Sequence, residues 1–94
     1  MKDDKSAAAR DDKAIFVKVR DRESVIYEGM AKSLSSQNEK GKFDILPLHA
    51  NFISLLGETL IIKKEDDIEQ EIPLANGVVR VVENKVEVYL GIKP

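Results

Sequence analysis

From residue 14 onward, apolar residues recur at every second position. In AIFVKVR, Ile15, Val17 and Val19 fall on one face and Lys18 and Arg20 on the other, which is the spacing of a half-buried strand. Asp21-Arg22 predicts a turn, and ESVIYEG follows with Val25 and Tyr27 on one face. Gly29 marks a bend or bulge. MAKSLSSQN keeps a weaker, polar alternation and is expected at a sheet edge or on a solvated face. Asn38 to Gly41 is a turn cluster.

The second half repeats the pattern. NFISLL, Gly57 and ETLIIKK place Leu60 and Ile62 in register. The charge run KKEDD at 63–67 predicts a solvated hairpin loop. IEQEIPL puts Ile68, Ile72 and Leu74 on one face and Glu69 and Glu71 on the other. Asn76-Gly77 signals a turn or bulge, and VVRVV, apolar on both faces apart from Arg80, predicts a central, covered strand. Glu83-Asn84 is a two-residue hairpin loop into KVEVYL, where Val86, Val88 and Leu90 alternate with Lys85, Glu87 and Tyr89. No amphipathic helix is predicted after residue 14. The expected fold is all-β, an antiparallel β-sandwich or flattened barrel of eight to ten short strands. Residues 14–92 form its single domain, and MKDDKSAAARDDK, residues 1–13, is expected to be a disordered arm or frayed helix.

Composition narrows the function. The 94 residues include no cysteine, so disulfides, thiolate metal sites and thiol nucleophiles are excluded. A net charge of −2 lacks the basic footprint of a nucleic-acid binder. No apolar run approaches the roughly 20 residues of a membrane span, and the charged N-terminus does not read as a signal peptide. A cytosolic or cytosol-facing protein is the expectation.

Catalytic chemistry finds little footing. His49 is the only histidine, so it has no partner for a metal pair or relay, and a dyad with Asp44 is suggested by spacing alone. The five glycines are scattered singly and form no phosphate loop. Asp66-Asp67 lacks calcium-loop spacing. The residues read as a binding or assembly module without a cofactor. A stand-alone sandwich that binds another protein, or a small molecule in a pocket lined by His49, Tyr27 or Tyr89, fits the same pattern.

Two segments carry a resemblance. The first is GKFDILPLHAN, where Gly41, Ile45, Leu46, Pro47, His49 and Ala50 fit a G-x-x-G-x-L-P-G-H-A-P pattern. The second is NGVVRVVENKVEVYL, where Gly77, Val79, Val81, Asn84, Val86, Val88 and Leu90 fit. Together, over about residues 14–92, they resemble the N-terminal β-sandwich of the epsilon subunit of F-type ATP synthases, called delta in mitochondria. Asp44, Leu48 and Asn51 depart from the pattern, and Lys42 stands where an acidic residue is usual. The resemblance implies a non-catalytic central-stalk rotor module that docks the gamma shaft onto the membrane c-ring and couples ion transport to ATP synthesis. It places Glu39, Lys40, Gly41 and Lys42 in a c-ring-facing loop and Leu46, Pro47 and His49 at a gamma-facing corner. It also implies a peripheral position on the cytoplasmic face of an energy-transducing membrane. In the family a C-terminal hairpin of two helices usually follows; the chain stops at Pro94, so self-inhibition and ATP sensing are not expected of these residues.

Overall fold

The alternation that starts at Ile15 becomes the most buried strand of the molecule. The structure, a computed structural model, describes residues 13–91. The expected arm, residues 1–13, lies outside the described residues except for Lys13, as does the expected domain end at residue 92. The strands are β1 (Ile15–Arg20), β2 (Val25–Asn38), β3 (Gly41–Ile45), β4 (Phe52–Lys64), β5 (Glu69–Val82) and β6 (Lys85–Leu90). No helix occurs among the described residues.

The sheet order is β1-β6-β5-β4-β2-β3, and β1 also pairs with β2. That extra pairing closes five strands into a ring and leaves β3 appended to β2. The β1–β6 ladder is parallel and every other is antiparallel. Inward residues fill the ring: Val17, Val19, Leu34, Leu60, Ile62, Val79, Val86 and Val88 are fully buried. The all-β sandwich or flattened barrel expected from the alternation is the observed architecture.

The strand count differs, for a physical reason. Six strands replace eight to ten because segments that read as separate run on as single bent strands of 13 or 14 residues. VIYEG and MAKSLSSQN continue through Gly29 as β2. NFISLL and ETLIIKK continue through Gly57 as β4, with a register shift between Leu56 and Glu58. A bulge bends a strand without ending it, so one strand can follow the curve of the ring.

Residues 30–38 have the polar composition of an edge but lie inside the sheet. This segment is no edge: β4 lies on one side, and β1 and then β3 on the other. The register shift between Ala31 and Ser33 changes the phase, so Ala31, Leu34 and Ser36 all point inward. Strict period two cannot show that. Ser36 is tolerated inside because its hydroxyl donates to the Thr59 carbonyl at 2.9 Å. Two smaller expectations change as well. Ile68 lies outside β5 and is exposed, while Ile72 is buried. The 78–82 segment is central in its sheet but covered on one face only, with Arg80 exposed.

The turns follow the local chemistry. Asp21 Oδ1 accepts from the Glu23 and Ser24 backbone N–H groups at 2.8 Å each, and these bonds hold its carboxyl below the usual range. Glu83 and Asn84 both have positive φ, 50° and 65°, the combination that matches strand twist in a two-residue hairpin. Of the KKEDD run, Lys63 and Lys64 end β4 and only 65–67 turn; there Asp67 also accepts from Lys32 Nζ at 2.6 Å, which lowers its pKa.

Gly77 faces backbone. A Cβ there would stand 2.9 Å from the Tyr89 carbonyl oxygen on β6. Gly77→Ala is expected to cost about 1–3 kcal/mol, read as a lower urea midpoint at unchanged m. Asp21 and Asp67 have lowered folded-state pKa values, so their stabilisation is present above the unfolded value and is lost as pH falls through the folded one. The paired substitution D21N/D67N is therefore expected to narrow the difference in urea midpoint between neutral pH and about pH 3, mainly by lowering the neutral value.

Candidate protein-interaction surface

Pro47 sits in a turn, which is why an apolar run can hold a proline. β3 ends at the buried Ile45, and the chain reverses through Leu46, Pro47, Leu48 and His49. The His49 N–H donates to the Leu46 carbonyl at 3.2 Å. Proline at the second position and φ of 67° at the third are the features of a type II turn. The third position normally takes glycine; here it is Leu48, in the left-handed region at a cost of about 1–2 kcal/mol.

A distant residue offsets that cost. The Leu48 N–H donates to Asn84 Oδ1 at 2.6 Å, and the Asn84 carbonyl accepts from Phe16 N–H at 2.9 Å. Asn84 is only 3% exposed. It joins the corner, the β5–β6 turn and the start of β1. Asn51 adds a longer bond, accepting from Glu83 N–H at 3.4 Å.

His49 is held by packing. Its Nδ1 lies 2.7 Å from the Ala50 carbonyl, placed to donate, and its ring meets Phe52 edge-on at 5.5 Å. Phe52 meets Phe43 in the same way at 5.5 Å. Asp44 accepts from Ser35 Oγ at 2.6 Å instead of facing His49. Among the described residues no group of three or more His, Cys, Asp or Glu could hold a metal ion.

The loop expected to face the ring is the β2–β3 turn. Asn38 Oδ1 accepts from Lys40 N–H at 2.9 Å, and Gly41 has φ of 124°, which needs glycine. Glu39, Lys40, Gly41 and Lys42 are all exposed. This tip and the Leu46–Pro47–His49 corner lie at opposite ends of β3, roughly 16 Å apart at strand rise. The start of β4 joins them: Phe52 touches His49, and Ser54 Oγ accepts from Asn38 Nδ2 at 3.0 Å.

The corner and the start of β4 carry exposed aliphatic residues that the alternation did not single out. Leu46, Leu48, Ile53 and Leu55 are 53%, 68%, 69% and 65% exposed. Four large aliphatic groups left in water within ten residues are a candidate contact surface. A cleft of about 540 Å³ runs beside the last two, lined by Gln37, Asn38, Phe52, Ile53, Leu55 and Glu58 among others. The signal in NFISLL was that it is apolar on both faces next to a polar turn. The sequence does not tell which face lacks a cover.

Residues 14–90 match the family described as ATP synthase, Delta/Epsilon chain, beta-sandwich domain. The chain belongs to this family. Curated relatives include the ATP synthase epsilon chain of Sulfurimonas denitrificans, 42% identical over 67 residues, 70% of this chain and 52% of the relative. That of Nitratiruptor sp. is 38% identical over 64 residues, 67% of this chain and 50% of the relative. The chain thus spans about half the length of the curated relatives it matches. Similar solved structures share the fold at 14% identity. One is the Euglena gracilis mitochondrial ATP synthase OSCP/F1/c-ring structure, with a TM-score of 0.78 over 83% of this chain and 51% of that one. Another is the Tetrahymena thermophila mitochondrial ATP synthase central stalk/c-ring, with a TM-score of 0.67 over 80% of this chain and 61% of that one.

Opposite shifts are expected at these two positions. Leu48→Gly relieves the backbone and raises stability by about 1 kcal/mol, while Asn84→Ala strands the Leu48 N–H and lowers it by about 2–3 kcal/mol. Urea denaturation of both variants checks the pair.

Proposed function

We propose that this chain is the sandwich of a central-stalk rotor subunit, which docks the gamma shaft onto the membrane c-ring and makes or breaks no covalent bond itself. Glu39, Lys40, Gly41 and Lys42 form the ring-facing loop. Leu46, Pro47 and His49 form the shaft-facing corner, extended by Ile53 and Leu55. Through those contacts the complex couples ion transport to ATP synthesis. The subunit lies peripherally at the cytoplasmic face of the energy-transducing membrane and takes no cofactor.

The observation that carries this reading is an uncovered aliphatic strip, residues 46–55, beside a charged turn on a sandwich of the delta/epsilon family. The physical roles differ. Aliphatic groups supply affinity when a partner excludes water from them. Exposed charges at the turn set orientation and association rate more than affinity. Rigidity comes from the closed ring and from the Asn84 bonds, so docking orders few further groups.

The small-ligand alternative has less support. The 540 Å³ cleft is lined by none of His49, Tyr27 or Tyr89. The test is calorimetry of this chain against the gamma subunit of the same organism. One-to-one binding at submicromolar Kd is expected. Ile53→Asp should weaken it at least about tenfold by placing a carboxylate in the apolar contact. Lys42→Glu should leave gamma binding unchanged and alter capture by detergent-solubilised c-ring. Two folded proteins that give no heat at either of two temperatures and do not co-sediment would refute the rotor reading.

A further inference from the structure

The ring closes five strands and leaves the sixth with an open side. β3 pairs with β2 alone, and its other edge presents unpaired backbone groups. The strand reads Gly-Lys-Phe-Asp-Ile. Phe43 and Ile45 turn inward, Phe43 against the core and Ile45 fully buried, while Lys42 and Asp44 are exposed on the outer face.

We propose that the β3 edge is a self-recognition surface whose occupant is β3 of a second copy of this chain, paired antiparallel about a twofold axis at Phe43. Charge complementarity selects this occupant and this register. With the axis at Phe43, Lys42 of each copy lies directly opposite Asp44 of the other, two symmetry-related ion pairs on one face. A shift of the axis by one residue sets Lys42 against Lys42, or Asp44 against Asp44, and like charges directly opposite are destabilising. A half-step shift would pair outward residues with inward ones and break the match of faces. The open part of β5 offers nothing similar. Residues 69–74 have no β6 partner, but they carry Glu69, Glu71 and Pro73 and no basic residue. Two such edges would repel, and the proline removes a donor.

The contact is small. Five residues a side bury far less than the roughly 1,600 Å² of a standard stable interface, so the dimer is weak, with a Kd on the order of 0.1–1 mM. It does not depend on the rotor reading. It does meet it at two residues, since pairing covers Gly41 and Lys42 and a paired copy must leave before that loop faces any other partner.

Sedimentation of the full chain from about 10 µM to 1 mM tests the proposal, a range that brackets the expected Kd. A reversible monomer–dimer equilibrium is expected. Lys42→Asp should weaken it about tenfold, because two attractions become two repulsions, and K42D/D44K should restore it to within about twofold. Circular dichroism melts confirm that each variant folds. Amide shifts of the unmodified chain, followed on dilution, should change mainly at residues 41–45 whether or not a variant folds. A monomer at every concentration overturns the proposal. So does a dimer indifferent to Lys42→Asp, a double variant that stays monomeric, or dilution shifts located elsewhere.

Discussion

The whole architecture depends on β1 being paired on both sides. Its inward residues Ile15, Val17 and Val19 are almost wholly buried. Its backbone is satisfied by β2 on one edge and by β6 on the other. Without it the sheet would be an open, twisted ribbon with unpaired edges along β2 and β6. With it, inward side chains from five strands meet in one small core. A chain of this length can bury roughly 60–65% of its unfolded surface, enough for one such core and no more. Closure also decides where contacts can be made. The interior is full, so any binding must use the outside of the ring: its turns, its appended strand and the faces left without a cover.

The corner after β3 shows how a loop becomes part of that rigid frame. Pro47 restricts one backbone angle, and the Asn84 side chain secures the next residue. Asn84 has two separate jobs. Its conformation suits a positive φ in a tight hairpin, and its amide oxygen meets an N–H from residue 48. One residue therefore links the family's two matched segments in space. His49, the residue that first suggests chemistry, packs against Phe52 and reaches only a neighbouring carbonyl. Those contacts hold its ring at the corner.

Much of this was legible in the sequence. Period two at Ile15, Val17 and Val19, and again at Val86 and Val88, gave strands with the right faces inward. Glu83-Asn84 gave the hairpin, and the Leu-Pro-x-His-Ala core gave the corner. What escaped had two physical causes. The first is phase. The bulges near Ala31 and Gly57 shift alternation by a residue, so Ser36 is buried and long strands look like pairs of short ones. The second is distance. Nothing local to Leu48 announces a bond to a residue 36 positions away, and nothing local to Ile53 and Leu55 says that their face has no neighbour. The polar segment 30–38 has the composition of an edge or a solvated face, yet it is paired on both sides, while β3 next to it keeps an open edge.

The parallel ladder between β1 and β6 has a consequence for the order in which the molecule forms. β4 and β5 are adjacent in the chain and can zip from the tight turn at 65–67 early in folding. β1 is made first and pairs with a strand that emerges from the ribosome some seventy residues later. Until then its buried face has β2 alone for cover. Closing so long a loop delays the last contacts, so ring closure belongs late on the folding path. Until β6 emerges, the nascent chain carries a valine-rich strand with only β2 beside it, and that interval is when it is most open to chaperones or to aggregation.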